Sequence, residues 1–211
     1  MKKGYLITFE GGEACGKSTQ IKKFAKYLED NHIDFILSRE PGGTEVGEKI
    51  RELLLHSKCD MSSTVEFLLF SASRAQHYEK VVKPALDAGK VVLLDRFYDS
   101  SFVYQGYAGN LNLDDLKSVT NFAVNGTEPD LTFLLDISYE DGMKRKQKDE
   151  NLKKLDRIES KGKAYHDKVR QGYLTLAKMF DKRIVVVDAS KSIDEVFEKI
   201  KTEFDKRHIA K

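Results

Sequence analysis

Eight consecutive residues near the N-terminus, Gly11-Gly12-Glu13-Ala14-Cys15-Gly16-Lys17-Ser18, follow the pattern G-x-x-x-x-G-K-[ST]. Glycines in such a loop let backbone N–H groups converge on phosphate oxygens without Cβ clashes. A helix starting near Lys17 aims the positive end of its dipole at the same anion. The Lys17 ammonium can reach the β- and γ-phosphates and the Ser18 hydroxyl can ligate Mg²⁺, with Thr19 counted in the same loop. A strand-like run precedes the loop and a helical pattern follows it, which is the context the pattern requires. These residues predict a site for a nucleoside triphosphate and Mg²⁺.

The rest of the chain narrows the kind of protein. A GTPase switch needs D-x-x-G and a guanine-reading N-K-x-D or T-K-x-D, and neither occurs. A nucleic-acid motor is usually larger and needs a surface that tracks DNA or RNA. The remaining small class, kinases of nucleosides and nucleotides, needs a second pocket and a basic lid. Such a lid has a candidate: between Lys144 and Arg170 stand eleven Lys or Arg against five Asp or Glu. The plain alternative for that run is a solvated helix face.

These groups need elements to position them. Short apolar, β-branched runs alternate with helical patterns, which predicts an α/β fold with a five-stranded parallel sheet flanked by helices. The strands are expected at Tyr5–Phe9, Phe35–Ser38, Val91–Asp95, Leu131–Asp136 and Ile184–Asp188. Helices are expected at Lys17–Asn31, Glu45–Leu55, Thr64–Ala88, Leu113–Asn125, Lys163–Phe180 and Ile193–Lys206. Three strands end in a carboxylate at the sheet edge where ligands bind in open α/β sheets. For Asp136 and Asp188 the favoured reading is a cap or turn. Asp95 differs because Arg96 follows it, and it is the candidate outer-shell ligand of Mg²⁺.

Several stretches together resemble the thymidylate kinase family, within the P-loop nucleoside monophosphate kinases. They are Phe9-Glu10-Gly11, Arg39-Glu40-Pro41-Gly42-Gly43-Thr44, Ser73-Arg74, Asp95-Arg96, Tyr104-Gln105-Gly106, Pro129-Asp130-Leu131-Thr132 and Leu155-Asp156-Arg157. The resemblance runs from about Tyr5 to about Ile200, essentially the whole chain. It implies one domain over residues 1–211 with a P-loop NTPase fold and a lid at about 142–157. It also implies ATP and dTMP as substrates and a homodimer. Phe70 and Arg74, four apart on one helix, then become a ring to stack on a pyrimidine and a guanidinium to donate to its carbonyl. Without the family they read as a core stripe of Phe67, Phe70 and Tyr78 with Arg74 at its solvent border. Ser101, Tyr104 and Gln105 share a face if the segment after Arg96 is helical, and an amide such as Gln105 suits thymine N3–H and its carbonyls. By resemblance, Tyr104 lies near the sugar 2′ position and Glu13 holds the acceptor 3′-hydroxyl. Arg39 and Arg96 clamp the acceptor phosphate, Arg51 and Pro41 line its pocket, and a cis bond before Pro41 shapes the loop.

Three departures from the family pattern matter. Ala14 stands where some relatives carry an arginine, so a catalytic arginine must come from elsewhere. The lid is lysine-rich, leaving Arg145 and Arg157 as candidates and Lys148 and Lys153 in reserve. Phe97 stands where Tyr or His commonly follows the Asp-Arg pair. The expected reaction is ATP + dTMP → ADP + dTDP, with Lys17, Arg96, Arg39 and a lid arginine neutralising charge. The alternatives are another monophosphate kinase acting on UMP or CMP, or a module that holds ATP without transferring it.

Composition agrees with this class. The 211 residues are 40% hydrophobic and 33% charged, and the net charge of +2 is too small to argue for nucleic-acid binding. No stretch approaches the roughly 20 apolar residues of a membrane span, and the N-terminal run is short for a signal peptide. A cytoplasmic location is expected. Cys15 and Cys59 have no metal-ligand spacing, and the five histidines are expected at the surface or core edge.

Overall fold

The computed structural model describes residues 4–57, 59–148 and 156–207. Five strands form one parallel sheet: β1 (Tyr5–Gly11), β2 (Phe35–Arg39), β3 (Val91–Asp95), β4 (Leu131–Asp136) and β5 (Ile184–Asp188), in the order β2-β3-β1-β4-β5. The order reverses direction at β1, so the crevice beyond its carboxyl end is where a ligand can enter. The three inner strands are buried almost throughout, because helices cover both faces and their apolar runs need no polar side. The edge strands β2 and β5 mix buried and exposed positions.

Alternation along β1 divides the core between the two faces. Ile7 and Phe9 pack with Phe24 and Leu28 of α1 (Lys17–Asp30) and with Ile200 and Phe204 of α9 (Ile193–Lys206). Leu6 points the other way, into a cluster with Val92, Leu94, Phe97 and Val124. A third cluster joins Leu54 of α2 (Glu45–His56) to Val169 and Tyr173 of α8 (Lys163–Met179).

Two elements differ from expectation. The helix expected at Thr64–Ala88 is three pieces: α3 (Ser63–His77), a π-helical turn (Tyr78–Val82) and α4 (Lys83–Asp87). Pro84 explains the break, since it lacks an N–H and is tolerated in a helix's first turn; the wide turn before it supplies a new first turn. The second difference is a helix absent from the expectations, α7 (Tyr139–Lys148), which carries the start of the basic run. After Arg96 the chain is helical, as α5 (Tyr98–Ser101) and a π-helical segment (Phe102–Tyr107), followed by α6 (Leu113–Ala123). Gly89, at φ 76°, closes α4.

Candidate active site

The phosphate loop joins β1 to α1. Gly11 has φ 143°, and a Cβ there would lie 2.5 Å from the Leu135 carbonyl oxygen. Gly16, at φ 95°, stands at the N-cap of α1. Both positions therefore demand glycine. Lys17 Nζ donates to the Gly12 carbonyl at 3.1 Å, folded back over its own loop. Ser18 and Thr19 are exposed at the mouth, whereas Cys15 is buried. Glu13 through Thr19 line a cavity of about 820 Å³ that continues in both directions from the loop, a size suited to small-molecule ligands.

On one side the cavity meets the end of β3. Arg96 adopts a left-handed backbone, φ 67°, a conformation that costs a non-glycine residue and that the surroundings must enforce. They do so through Glu10, whose carboxylate accepts from the Phe97 backbone N–H at 2.8 Å, Ser100 Oγ at 2.7 Å and Tyr173 Oη at 2.8 Å. Burial, with the nearby Asp99 charge, pushes Glu10 up to about 7 despite Arg96. The Arg96 side chain donates to the Gly11 carbonyl at 3.0 Å and to Glu13 Oε1 at 3.0 Å. Burial alone would raise Glu13, but Arg96 and Lys17 outweigh it and hold the carboxyl well below its usual range. Asp95 lines the cavity beside Arg96 without pairing to it. Arg96 pairs instead with Glu13.

Farther along, Phe70, Arg74, Ser101, Tyr104 and Gln105 line one end of the cavity. Arg74 is not at a solvent border; it is 2% exposed. Its Nε donates to Glu40 Oε2 at 2.8 Å and its Nη2 to Ser101 Oγ at 3.0 Å. Glu40 Oε1 in turn lies 3.1 Å from His77 Nδ1, and His77 Nε2 lies 2.7 Å from Ser38 Oγ. His77, and likewise His166, are buried, not at the surface or core edge as expected. Gln105 Nε2 donates to Glu66 Oε1 at 2.7 Å. Two buried atoms here, Arg74 Nη1 and Gln105 Oε1, have no hydrogen-bond partner among the described residues. Tyr104 Oη donates to Glu13 Oε1 at 3.3 Å.

Arg39, Pro41 and Arg51 line the same region. Arg39 Nη2 donates to both oxygens of Glu48 at 3.0 Å, and Arg51 Nη1 to the Pro41 carbonyl at 2.8 Å. The Glu40–Pro41 bond is cis.

The opposite end is formed by Gln20, Arg145, Ala189, Lys191 and Ser192 among others. Arg145 Nη2 donates to the Ala189 carbonyl at 2.7 Å. Arg157, the other lid candidate, is placed differently. Its Nε donates to the Leu54 carbonyl at 2.8 Å and its Nη2 to Glu66 at 2.6 Å, and it does not line the cavity. Of Lys148 only its place at the end of α7 is described, and Lys153 lies outside the described residues. Lys146 is buried and pairs with Glu159 at 2.6 Å. Asp188 takes the expected turn role, accepting from the Ser190 N–H and hydroxyl, whereas Asp136 is neither cap nor turn and pairs with Arg170 at 2.7 Å.

The cations were legible in the sequence, but of the anions that hold them only Glu13 was. Glu10 and Glu40 lie inside quoted motifs but carried no role. Glu48 and Glu66 had one signal only: each is an acidic residue in the first turn of a helix that carries site residues.

A family model described as thymidylate kinase matches residues 9–200. The thymidylate kinase of Thermoanaerobacter sp. (strain X514) is 46% identical over 198 residues, covering 94% of this chain and 96% of that protein. That of Clostridium novyi (strain NT) is 43% identical over 202 residues, covering 95% and 98%. The crystal structure of thymidylate kinase from Ehrlichia chaffeensis matches with a TM-score of 0.78 at 30% identity, over 96% of this chain and 99% of that one.

Proposed function

The chain belongs to the thymidylate kinase family, and from that premise we propose how its cavity divides the work of phosphorylating dTMP with ATP. In ATP + dTMP → ADP + dTDP, the γ-phosphorus leaves the β,γ-bridging oxygen and bonds to an oxygen of the acceptor phosphate. That oxygen is already ionised near neutral pH, so no general base is needed. Catalysis is positioning plus neutralisation of charge.

ATP lies along the phosphate loop, its β- and γ-phosphates facing backbone N–H groups and Lys17. Its base lies at the end bounded by Arg145 and Ala189. The acceptor phosphate is gripped by Arg39 and Arg96, with Arg51 beside them. Lid closure brings Arg145 and neighbouring lysines over the triphosphate and excludes water. Arg157 anchors the lid's far end to α2 and α3.

Mg²⁺ is the expected companion of the triphosphate. The donor chemistry fits: the Ser18 hydroxyl and the Asp95 carboxylate both line the cavity as oxygen donors. Among the described residues no group of three or more His, Cys, Asp or Glu could hold a metal unaided. Mg²⁺ suits that economy, since it is usually bound by one or two protein oxygens plus phosphates and water. When bound, it withdraws charge from the β- and γ-phosphate oxygens.

The base assignment rests on one observation, the two unpartnered atoms Arg74 Nη1 and Gln105 Oε1. One donates and the other accepts. Thymine presents a C4 carbonyl beside an N3–H, the complementary pair, while cytosine presents an amine beside a bare nitrogen. Leaving buried polar groups unpaired is what makes a site reject the wrong ligand. Phe70 stacks on the ring, and Tyr104, held to Glu13, closes the space a ribose 2′-hydroxyl would need.

A turnover panel with dTMP, dUMP, UMP, CMP and AMP tests this reading. We expect dTMP to lead and CMP and AMP to fall at least about 10²-fold behind. Comparable turnover of CMP would overturn it.

The active unit is a homodimer formed through α3 and α6, which pack together and leave Val65, Leu68, Leu113 and Phe122 exposed, the last at 90%. Sedimentation at micromolar concentration should give twice the chain mass, and a monomer there would remove the proposal. The reaction is assigned to the cytoplasm, where ATP is made and the two cysteines, both free, stay reduced. No described helix is long and apolar enough to cross a membrane.

A further inference from the structure

We infer that Glu66, through its hold on Gln105, is the residue that makes this pocket choose a thymine edge over a cytosine edge, an inference that rests on the base-reading role given to Gln105 above.

An amide reads a base ambiguously. Turning it by 180° exchanges its oxygen for its nitrogen with little change of shape, so whatever else the amide touches decides which atom faces the ligand. Gln105 is 2% exposed and touches Glu66. An ionised carboxylate can only accept, so the Gln105 nitrogen must face it. The turned amide would set two oxygens against each other in a site closed to water, where an unsatisfied polar contact is most costly. Oε1 is therefore the atom left without a partner.

Glu66 is in turn held as an acceptor. Its Oε2 takes Arg157 Nη2 at 2.6 Å and Lys161 Nζ at 3.4 Å, and Arg157 is fixed by the Leu54 carbonyl. The chain runs from Leu54 through Arg157 and Glu66 to Gln105, and every link has one permitted polarity. The orientation exists before substrate arrives. Thymine N3–H then meets an acceptor, whereas the N3 lone pair of cytosine meets another lone pair. Glu66 is a positioning residue, acting on substrate only through Gln105. It lies on the same helix as Phe70 and Arg74, which reach the cavity themselves.

The competing view is that Glu66 merely neutralises Arg157 and Lys161. Measuring kcat and KM for dTMP and dCMP at saturating ATP, in the wild type, Glu66→Gln and Glu66→Asp, separates the two. Glutamine at this position can donate or accept, so Gln105 becomes free to turn. The ratio of kcat/KM for dTMP over dCMP should then fall by about tenfold, most of it through KM. Glu66→Asp keeps acceptor-only chemistry on a shorter arm and should fall between. If Glu66→Gln does not fold, as judged by circular dichroism, the drop in ratio for Glu66→Asp decides. A folded variant that loses activity on both nucleotides in proportion overturns the inference. A wild type that uses dCMP as readily as dTMP instead overturns the base-reading role itself, whatever Glu66 does.

Discussion

The two ends of the cavity are built on different principles. At the proposed acceptor end the innermost side chains are buried and tethered by other side chains, Arg74 by Glu40 and Ser101 and Gln105 by Glu66, with Arg96 held to Glu13. Only toward the rim does this change, where Arg39 is exposed and Arg51 rests on the Pro41 carbonyl. At the donor end they rest on backbone. Lys17 lies on the Gly12 carbonyl, Arg145 on the Ala189 carbonyl, and Ser18 and Thr19 face solvent. The contrast matches the two tasks. Telling one pyrimidine from another needs groups fixed within a fraction of an ångström, and satisfied buried networks supply that rigidity. Holding a triphosphate needs charge and N–H groups that can be re-aimed as the reaction proceeds, and weak backbone contacts are easily exchanged for phosphate.

That contrast can be broken by experiment. Lys17→Ala should cost about 10³-fold or more in turnover while the denaturation midpoint stays put, because no buried partner is orphaned. A large loss of stability would place Lys17 among the structural groups. Arg74→Ala should do both kinds of damage. It removes the proposed base contact and leaves Glu40 buried with only His77 beside it, a loss of about 3 kcal/mol in urea unfolding. Unchanged stability would mean that the acceptor end is not built on its ion pairs.

Glu10 sharpens the contrast through pH. Its folded-state carboxyl is raised from 4.5 to about 7, so the folded protein binds that proton more tightly than the unfolded chain does. The stability this contributes is full below pH about 4.5 and is lost as pH climbs to about 7. Glu10→Gln should flatten that part of the stability profile, by up to about 3 kcal/mol. An identical slope in both proteins would show that Glu10 titrates normally.

Much of the fold was legible because its signals are local. The β3, β4 and β5 boundaries and those of α9 coincide with expectation, since apolar runs bounded by polar residues and caps declare themselves. The helix from Tyr139 was not legible. Its apolar positions are few, and a basic run reads as charge before it reads as a helix. The break before Pro84 has a local signal in the proline itself, overridden in the expectation by the unbroken apolar pattern around it. At the site, the cations Lys17, Arg39, Arg74, Arg96 and Arg145 were found and all line the cavity. Arg157 shows the limit. A guanidinium in a lid segment suggests phosphate, but only the tertiary fold reveals Glu66, 91 positions away in the chain, as its partner.

The sheet register carries one more consequence. Phe9 of β1 stands opposite Asp95 of β3, and the Arg96 backbone N–H donates to the Phe9 carbonyl at 3.0 Å. The loop proposed to hold the giving phosphate and the arginine proposed to hold the receiving one thus leave neighbouring strands only a residue or two past their last ladder bonds. Their separation is inherited from the spacing between paired strands, about 4.8 Å, and not from any surface loop. Insertions or drift in the helices and lid can alter how fast substrates arrive and leave, but the gap the phosphoryl group must cross is ruled by the backbone.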